Sequence, residues 1–328
     1  MDELQSLYKQ DYPAFIEPYL ASKSMQRLKG VDMNCGLQFT SHTGFSSYGP
    51  YSRYEHSVGV ACIIWRFTHD KKQTLAGLFH DISTRVFSHV IDFVKNDYLV
   101  QESTEDETRQ IILQDSVIMN QLLCDGISVD EVSDYHLYPI ADNDSPRLSS
   151  DRLEYTLGNL LNYRKHTIKE IEKYFNDLVV GISEYGSQEI MFQHPEIAEE
   201  FAFGALSCGI IYSCDFDRYG MEKLACILRK AFEETILTES DLYLTEIEVI
   251  KKLSESCLHD AWNEYTRLQD VTKDFAGDLM VDAKKRYIDP YICKHGRVTT
   301  FSAAFKNAVN EFKNIDYHYL MKGIYRNG

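Results

Sequence analysis

Four side chains of metal-binding type lie in three well-separated segments, and a shared site would force these segments together in the fold. His56 lies in YSRYEHSVGV, His80 and Asp81 are adjacent in LFHDIS, and Asp151 lies in SSDRLEYTLGN. Two imidazoles and two carboxylates suit a divalent cation that keeps water in its coordination shell. Such a cation activates water near neutral pH and polarises a phosphoryl oxygen. The set therefore predicts the chemistry of a hydrolase.

The spacing of apolar residues predicts an all-α fold. Apolar side chains recur at helical intervals over residues 86–94, 151–161, 245–257 and 301–313, and the third window opens with a capping-box pattern. The chain has only seven prolines, and the period-two alternation of half-buried strands is scarce. No linker-like stretch interrupts the pattern, so residues 1–328 are predicted to form a single helical domain.

Two irregular stretches lead into the candidate site. Residues 35–55 are rich in Gly, Ser, Tyr and Pro, which predicts a long loop or a small hairpin that delivers His56. Residues 136–150 break the helical pattern again and deliver Asp151. Functional side chains are often carried where loops meet a rigid scaffold, so both stretches favour a site at these junctions.

The charge of the chain limits its partners. The formal net charge is −16, which disfavours nucleic acids and anionic membranes as partners. An anionic substrate must then be held by a metal or by a local group of cations. Arg53, Arg85 and Arg152 are the candidates for that group.

Cysteine use and the N-terminal sequence favour a cytoplasmic protein. The eight cysteines form no C-x-x-C pair and are typical of reduced, mostly buried thiols. The first residues, MDELQSLYKQDYP, are polar and lack the apolar stretch of a signal peptide. No apolar run approaches the ~18 residues that a membrane span needs.

The window 151–161 places several polar side chains on one face of a helix. At about 100° per residue, Asp151, Tyr155 and Asn159 share a face with Arg152 at its edge, whereas leucines lie opposite. This stripe could contact a metal, a phosphate and a sugar. An ordinary solvated helix face would show the same pattern.

The histidines are ambiguous when each is taken alone. The His80–Asp81 pair ends an apolar helix, where a buried charge requires a ligand or a hydrogen-bonding partner. His56 stands at the entrance of an apolar helix, where structural histidines are common. His89, in VFSHVIDF, could orient or protonate a phosphate oxygen, support a ligand carboxylate, or be structural.

Taken together, the order H…HD…D resembles the signature of the HD superfamily of metal-dependent phosphohydrolases. RYEHSVGV, HDISTRVFSH and SSDRLEYTLGN are similar to three segments of its deoxynucleoside-triphosphate triphosphohydrolase branch, over roughly residues 24–165. The resemblance implies an all-α HD-domain bundle with its core at about 50–165. Residues 166–328, which carry no recognisable motif, would form additional C-terminal helices.

The resemblance also implies roles for individual residues. It implies that one divalent ion (Mn, Fe, Ni, Zn or Mg) is bound by His56, His80, Asp81 and Asp151. Arg53 and Arg152 would contact phosphate, Tyr155 would lie near the sugar, and Asp81 and His89 would act in catalysis. Members of the family often form oligomers, so a homo-oligomer is compatible with the resemblance.

One departure from the family pattern bears on function. The triphosphohydrolase branch has a histidine three residues after the HD aspartate, and this chain has Thr84. A threonine cannot donate a proton near pH 7, so Glu102, Glu105 or His89 would have to serve, or the ester or the reaction differs.

Three functions therefore stay open. The leading hypothesis is hydrolysis of a phosphate ester, above all a nucleotide, by a metal-activated water. The second is a phosphodiesterase acting on a cyclic nucleotide or dinucleotide, and the third is a nucleotide-binding regulatory module with little catalysis.

Overall fold

A computed structural model describes residues 2–46, 49–94, 107–163 and 165–327. These residues are mostly helical. The α-helices are α1 (Asp2–Tyr8), α2 (Glu17–Leu20), α3 (Lys23–Arg27), α4 (Thr43–Ser46), α5 (Arg53–Thr68), α6 (Lys71–Phe79), α7 (Val90–Val94), α8 (Thr108–Gln114), α9 (Ser116–Asp125), α10 (Ser150–Asn162), α11 (Ile168–Asn176), α12 (Pro195–Ile211), α13 (Asp215–Glu233), α14 (Glu246–Ser254), α15 (His259–Thr266), α16 (Val298–Phe301) and α17 (Ala303–Lys313). Short 3-10 helices cover Lys9–Asp11, Ala14–Ile16, Leu28–Gly30, Leu37–Phe39, Val129–Glu131, Tyr135–Leu137 and Glu239–Tyr243.

Two small sheets interrupt the helical C-terminal half. Their strands are β1 (Leu178–Ile182), β2 (Gln188–Phe192), β3 (Leu268–Lys273), β4 (Tyr291–Ile292), β5 (Gly296–Arg297) and β6 (Met321–Tyr325). The first sheet has the order β1-β2-β4-β5, in which β2 and β4 run parallel and the other neighbours antiparallel. The second pairs β3 with β6 antiparallel, with Leu268 opposite Tyr325.

The prediction of an all-α fold is therefore correct for most of the chain and wrong for these strands. Residues 166–328 are not purely helical, because every one of the six strands lies there. The strands escaped notice because they are short and because β2 buries Ile190, Met191 and Phe192 in succession. A strand buried on both faces does not show the alternation that marks a half-buried strand.

Three of the four helices that the sequence indicated form as expected. Helix α10 covers the window 151–161, and α17 begins after Ser302, whose hydroxyl accepts a hydrogen bond from the Phe305 backbone N–H at 3.0 Å. The capping box predicted for the third window is present at the start of α14, between Thr245 and Glu248.

The helix predicted over residues 86–94 is shorter than expected. It begins only at Val90, because Phe87 and Ser88 adopt left-handed backbone conformations with φ of 60° and 49°. Two consecutive residues in that region end any α-helical path. The turn sends Ser88 toward the candidate site, where its hydroxyl accepts a hydrogen bond from Arg53 Nε at 3.2 Å.

The core is a continuous cluster of buried apolar residues that draws on both halves of the chain. It runs from Leu4 through Phe79 and Leu157 to Phe201 and Met321. Helix α5 packs against α6 and α10, so the segments that carry the candidate metal ligands are neighbours. The boundary between a core at 50–165 and a C-terminal extension remains a prediction.

Among the described residues, no single helix is both long and apolar enough to cross a membrane. Only α12 and α13, which bend by 44° at their junction, meet the criteria of length and composition when they are taken together.

Helix α10 depends on its N-cap. The hydroxyl of the fully buried Ser149 accepts a hydrogen bond from the Arg152 backbone N–H at 3.2 Å. We expect Ser149→Ala to lower the free energy of unfolding by about 1 kcal/mol, because that N–H loses its partner. Urea denaturation measures the change. Asn310→Ala, an exposed position within α17, is the control and should not destabilise. Equal midpoints for Ser149→Ala and the unaltered protein would contradict the assignment of the cap.

Candidate metal centre

The start of α5 places His56 in the interior. Ser52 caps this helix through a complete capping box with Glu55, whose carboxylate accepts a hydrogen bond from the Ser52 backbone N–H at 2.7 Å. The cap starts the helix at Arg53, so that His56 lies one turn in and faces α10. Only 1% of His56 is exposed.

The other candidate ligands come from the ends of two helices. His80 follows the last residue of α6 and Asp81 comes directly after it, and both are buried. Asp151 lies in the first turn of α10, where the positive end of the helix dipole favours a carboxylate. Helix termini thus carry three of the four groups.

The structure brings these four side chains together. His56 Nε2 lies 3.1 Å from His80 Nε2 and 3.0 Å from Asp151 Oδ1, and His80 Nε2 lies 3.7 Å from Asp151 Oδ1. Ligand atoms that each bind an ion at about 2.1 Å are separated by about 3.0 to 3.4 Å in octahedral or tetrahedral coordination. The donor atoms of His56, His80 and Asp151 all lie within 4.8 Å of one another, a spacing that fits one divalent cation.

Asp81 lies at the edge of this group. Its Oδ2 is 3.5 Å from His80 Nε2 and 3.8 Å from His56 Nε2. The same oxygen accepts a hydrogen bond from Arg53 Nη1 at 2.9 Å, and Oδ1 accepts one from the Thr84 hydroxyl at 2.7 Å. Asp81 is therefore close enough to complete the ligand set while it also holds Arg53 in place.

Both imidazoles are oriented so that their Nε2 atoms face each other. His80 Nδ1 donates a hydrogen bond to the Gly77 carbonyl at 2.7 Å, and His56 Nδ1 donates one to Glu154 Oε2 at 2.5 Å. When Nδ1 carries the proton, Nε2 is left as a lone-pair donor, which is the usual arrangement of a metal-binding histidine.

Glu154 was not among the sequence candidates. It is fully buried on α10, and Tyr51 also donates a hydrogen bond to its Oε2. The backbone of α5 approaches it closely at Gly59, where a Cβ would lie 2.5 Å from Glu154 Oε1. A usable signal was its position three residues after Asp151, on nearly the same face of a helix whose neighbouring residues are mostly apolar.

The charges of the centre leave a place for a cation. Burial lowers the pKa of His56, but its hydrogen bonds with Asp151 and Glu154 outweigh burial and raise that pKa to about 10. Burial raises the pKa of Asp151, but its interactions with the two histidines outweigh burial and lower that pKa to about 2. Buried carboxylates thus favour a positive charge at this point, and a metal ion would supply it in place of a proton.

A cavity of about 370 Å³ lies over the centre. His56, His80, Asp81 and Asp151 contribute to its wall. Residues from the C-terminal half complete it, including Tyr212, Asp217, Arg218, Lys284, Arg286 and Tyr287. The half of the chain without a recognisable motif therefore shapes the space beside the candidate metal centre.

The predicted substrate contacts differ in how they are placed. Arg53, Arg152 and Tyr155 all line the cavity. Arg152, however, donates from Nε to the Arg147 carbonyl at 2.7 Å, from Nη2 to Asn143 Oδ1 at 2.6 Å, and pairs through Nη1 with Asp142 at 3.0 Å. The loop before α10 thus supplies hydrogen-bonding partners for this guanidinium. The sequence did not indicate these partners.

His89 lines the same cavity, and its Nδ1 lies 3.0 Å from Asp92 Oδ2. Burial and the nearby arginines lower the pKa of His89, although Asp92 opposes this shift. Arg85, the other cation considered, pairs with Glu107 at 3.3 Å. Glu102 and Glu105, the alternative acids, lie outside the described residues.

No protein-family model matches the chain. The chain is 27% identical over 322 residues to the uncharacterised protein YdhJ of Bacillus subtilis, an alignment that covers 94% of this chain and 93% of YdhJ. It is 29% identical over 171 residues to the metal-dependent phosphohydrolase cns2 of Cordyceps militaris, and this alignment covers 51% of this chain and 46% of that protein.

Among solved structures, the chain resembles a hypothetical protein from Aquifex aeolicus with a TM-score of 0.55 at 19% identity. The superposition covers 80% of this chain and 75% of that one. At this identity the likeness concerns the fold alone.

Glu154 should matter for metal affinity although it contacts His56 at Nδ1, on the opposite side of the ring from Asp151. We expect Glu154→Gln to weaken the binding of Mn²⁺ by about 10- to 100-fold, because an amide orients His56 less firmly and does not increase its basicity. Competition with a metal-sensitive dye measures the change. Glu311→Gln, at an exposed position on α17, is the control. Unchanged affinity in Glu154→Gln would show that the carboxylate serves packing alone.

Proposed function

We propose that the chain is an HD-type metal-dependent phosphohydrolase acting on a nucleotide. The observation that carries the proposal is the convergence of His56, His80 and Asp151 within 4.8 Å on the wall of a cavity that Arg53 also lines. The relative from Cordyceps militaris, which is named a metal-dependent phosphohydrolase and aligns with half of this chain, supports the same chemistry.

A divalent cation held by His56, His80, Asp81 and Asp151 would supply a Lewis acid that activates water and polarises the phosphoryl group. The side chains around the candidate centre support this chemistry. Asp81 carries a strongly lowered pKa, because Arg53 and the two histidines overcome the effect of burial. It therefore stays ionised and can orient a water by accepting its hydrogen bond.

Arg53 is the cation best placed for the phosphoryl oxygens. A guanidinium has five N–H donors, and those of Nε and Nη1 reach Ser88 and Asp81. The donors that remain can face the cavity. Because both known partners fix its orientation, Arg53 can stabilise developing charge without rearranging.

His89, and not Thr84, is placed to perform the task of the histidine in the family pattern. The Thr84 hydroxyl donates to Asp81, so it orients that carboxylate and does not serve as an acid. His89 lies in the cavity with one ring nitrogen fixed by Asp92, which leaves the other nitrogen for the substrate. We propose His89 as the group that exchanges a proton or a hydrogen bond with the phosphate.

The nucleotide part of the proposal rests on the aromatic side chains of the cavity. Tyr155, Tyr163, Tyr212 and Tyr287 line it together with Phe45. Tyr155 and Tyr212 lie with their ring centroids 6.4 Å apart at an interplanar angle of 72°. Such rings offer apolar faces for a base or a sugar and hydroxyls for its polar edge.

The test is a phosphatase assay with p-nitrophenyl phosphate and nucleotides in the presence of Mn²⁺, Ni²⁺ or Mg²⁺. We expect metal-dependent turnover, which Asp81→Asn and His56→Ala reduce by at least about a hundredfold because each removes a group that binds the ion or orients water. Asp260→Asn, at an exposed position on α15, should retain full activity. Circular dichroism checks that each variant is folded.

The same assay separates the alternatives. Faster cleavage of bis-p-nitrophenyl phosphate than of the monoester, with two metal ions bound per chain, would indicate a phosphodiesterase. Equal activity of Asp81→Asn and the unaltered protein would remove the proposal. Binding of a nucleotide in calorimetry without turnover under any metal would indicate a regulatory module instead.

A further inference from the structure

One side of the cavity is formed by a segment of the chain that is neither helix nor strand. We call residues 279–289 the wall segment; apart from a single bridge between Leu279 and Met321, it has no regular secondary structure. The residues of the wall segment that line the cavity are Asp282, Ala283, Lys284, Arg286 and Tyr287. It therefore brings two basic side chains from the C-terminal half of the chain to the space beside the candidate metal centre.

The wall segment is fixed at both of its ends. At the first end, the Met321 backbone N–H on β6 donates a hydrogen bond to the Leu279 carbonyl at 2.7 Å. At the second end, the Asp289 backbone N–H donates to the Pro146 carbonyl at 2.8 Å, and the Asp289 carboxylate accepts a hydrogen bond from the Thr299 backbone N–H at 2.9 Å. The residues between these ends are thus held against the cavity without help from a helix or a sheet.

The middle of the wall segment is fixed at Arg286 itself. A Cβ at Gly209 would lie 2.1 Å from the Arg286 carbonyl oxygen, so a glycine is needed for α12 to approach the backbone this closely. The preceding residue, Lys285, is held at the end of α17, because its ammonium donates to the Lys313 carbonyl at 2.7 Å. Lys285 is tied to α17, whereas its neighbours Lys284 and Arg286 line the cavity.

The charge of Arg286 acts on groups that line the cavity from other elements. Burial lowers the pKa of His89 against the opposing effect of Asp92, and both Arg286 and Arg53 add to this decrease. Burial raises the pKa of Tyr155 to about 12, and Arg286 opposes that increase. Because charge interactions weaken with distance, the guanidinium of Arg286 lies in the part of the cavity that also holds His89 and Tyr155.

Arg152 is held in a different way. Its Nε and Nη2 donate to the Arg147 carbonyl and to Asn143 Oδ1, and its Nη1 pairs with Asp142. These contacts all lie in the loop before α10, so most of the guanidinium serves to hold that loop. Arg152 is therefore less well suited than Arg286 to bind a substrate.

We infer that Arg286 binds an anionic oxygen of the substrate's phosphate group together with Arg53, the role that the family resemblance implies for Arg152. The inference rests on the proposed function and adds a residue to the same site. A guanidinium presents N–H donors in a planar fork that matches two oxygens of a phosphate. Since Arg53 lies on α5 and Arg286 on the wall segment, the phosphate site is complete only when the C-terminal half packs against α5.

The experiment measures two quantities for the Mn²⁺-loaded protein, namely the Kd for inorganic phosphate in calorimetry and kcat/KM for p-nitrophenyl phosphate. We expect Arg286→Ala to raise Kd and to lower kcat/KM at least about tenfold each, because the fork and its charge are lost. Arg286→Lys keeps the charge without the fork and should recover only part of the loss. Lys306→Gln, at an exposed position on α17, also removes a positive charge, and it should leave both quantities unchanged.

Chemical rescue and thermal unfolding separate a contact with phosphate from a structural role. Guanidinium ion added at millimolar concentration should restore part of the activity of Arg286→Ala, because it can occupy the vacated space. The same addition should not restore Asp81→Asn, which lacks a different group. We expect Tm to stay near that of the unaltered protein in Arg286→Ala, since other residues anchor the wall segment, and to fall in Arg152→Ala. A lowered Tm in Arg286→Ala without rescue by guanidinium would show a structural role and overturn the inference.

The remaining outcomes are also decisive. An unchanged Kd for phosphate in Arg286→Ala would contradict the inference while leaving phosphohydrolase activity in place. A larger loss of phosphate affinity in Arg152→Ala, at an unchanged Tm, would do the same. If the unaltered protein hydrolyses no ester, the proposed function fails instead. Phosphate binding then tests Arg286 by itself: weaker binding in Arg286→Ala than in Lys306→Gln would support its role, and equal binding would overturn it.

Discussion

The buried contact between His56 and Glu154 is the interaction on which the centre depends. It joins α5 to α10 at 2.5 Å, and neither side chain is exposed by more than 1%. A buried carboxylate is costly unless hydrogen bonds and opposite charge compensate it, and here Tyr51 and His56 both contribute. Gly59 lets the two helices approach closely enough for the contact to form.

Around this contact, carboxylates outnumber the positive charges that the protein itself supplies. Asp151 and Glu154 both approach His56, whereas Asp81 is paired with Arg53. A protonated His56 balances the cluster in part, and a divalent ion would balance it more completely. Burying these carboxylates is costly for folding alone, and buried groups with shifted pKa values are concentrated at functional sites.

The helices and the convergence of His56, His80, Asp81 and Asp151 could be predicted from the sequence. Helical periodicity indicates the former, and the H…HD…D motif indicates the latter. Sequence reasoning missed Glu154 although the position three residues after Asp151 was a usable signal, since a single carboxylate at that spacing also fits an ordinary exposed helix face. The partners of Arg152 were also out of reach, because they lie in an irregular loop whose path depends on tertiary contacts. Three of the strands leave no alternation to detect, because β4 and β5 have two residues each and β2 is buried at four of its five positions.

The charge of the whole chain and that of the cavity act on different scales. The net charge of −16 repels an anion that approaches the protein from solution. Salt at physiological concentration screens this repulsion at distances beyond about 8 Å. At the candidate centre, Asp151 and Glu154 both approach His56, and a divalent ion bound there would add the positive charge that attracts a phosphate. Metal and anionic substrate would therefore bind in a coupled manner, because the charge of the ion would strengthen the binding of the anion and the anion that of the ion.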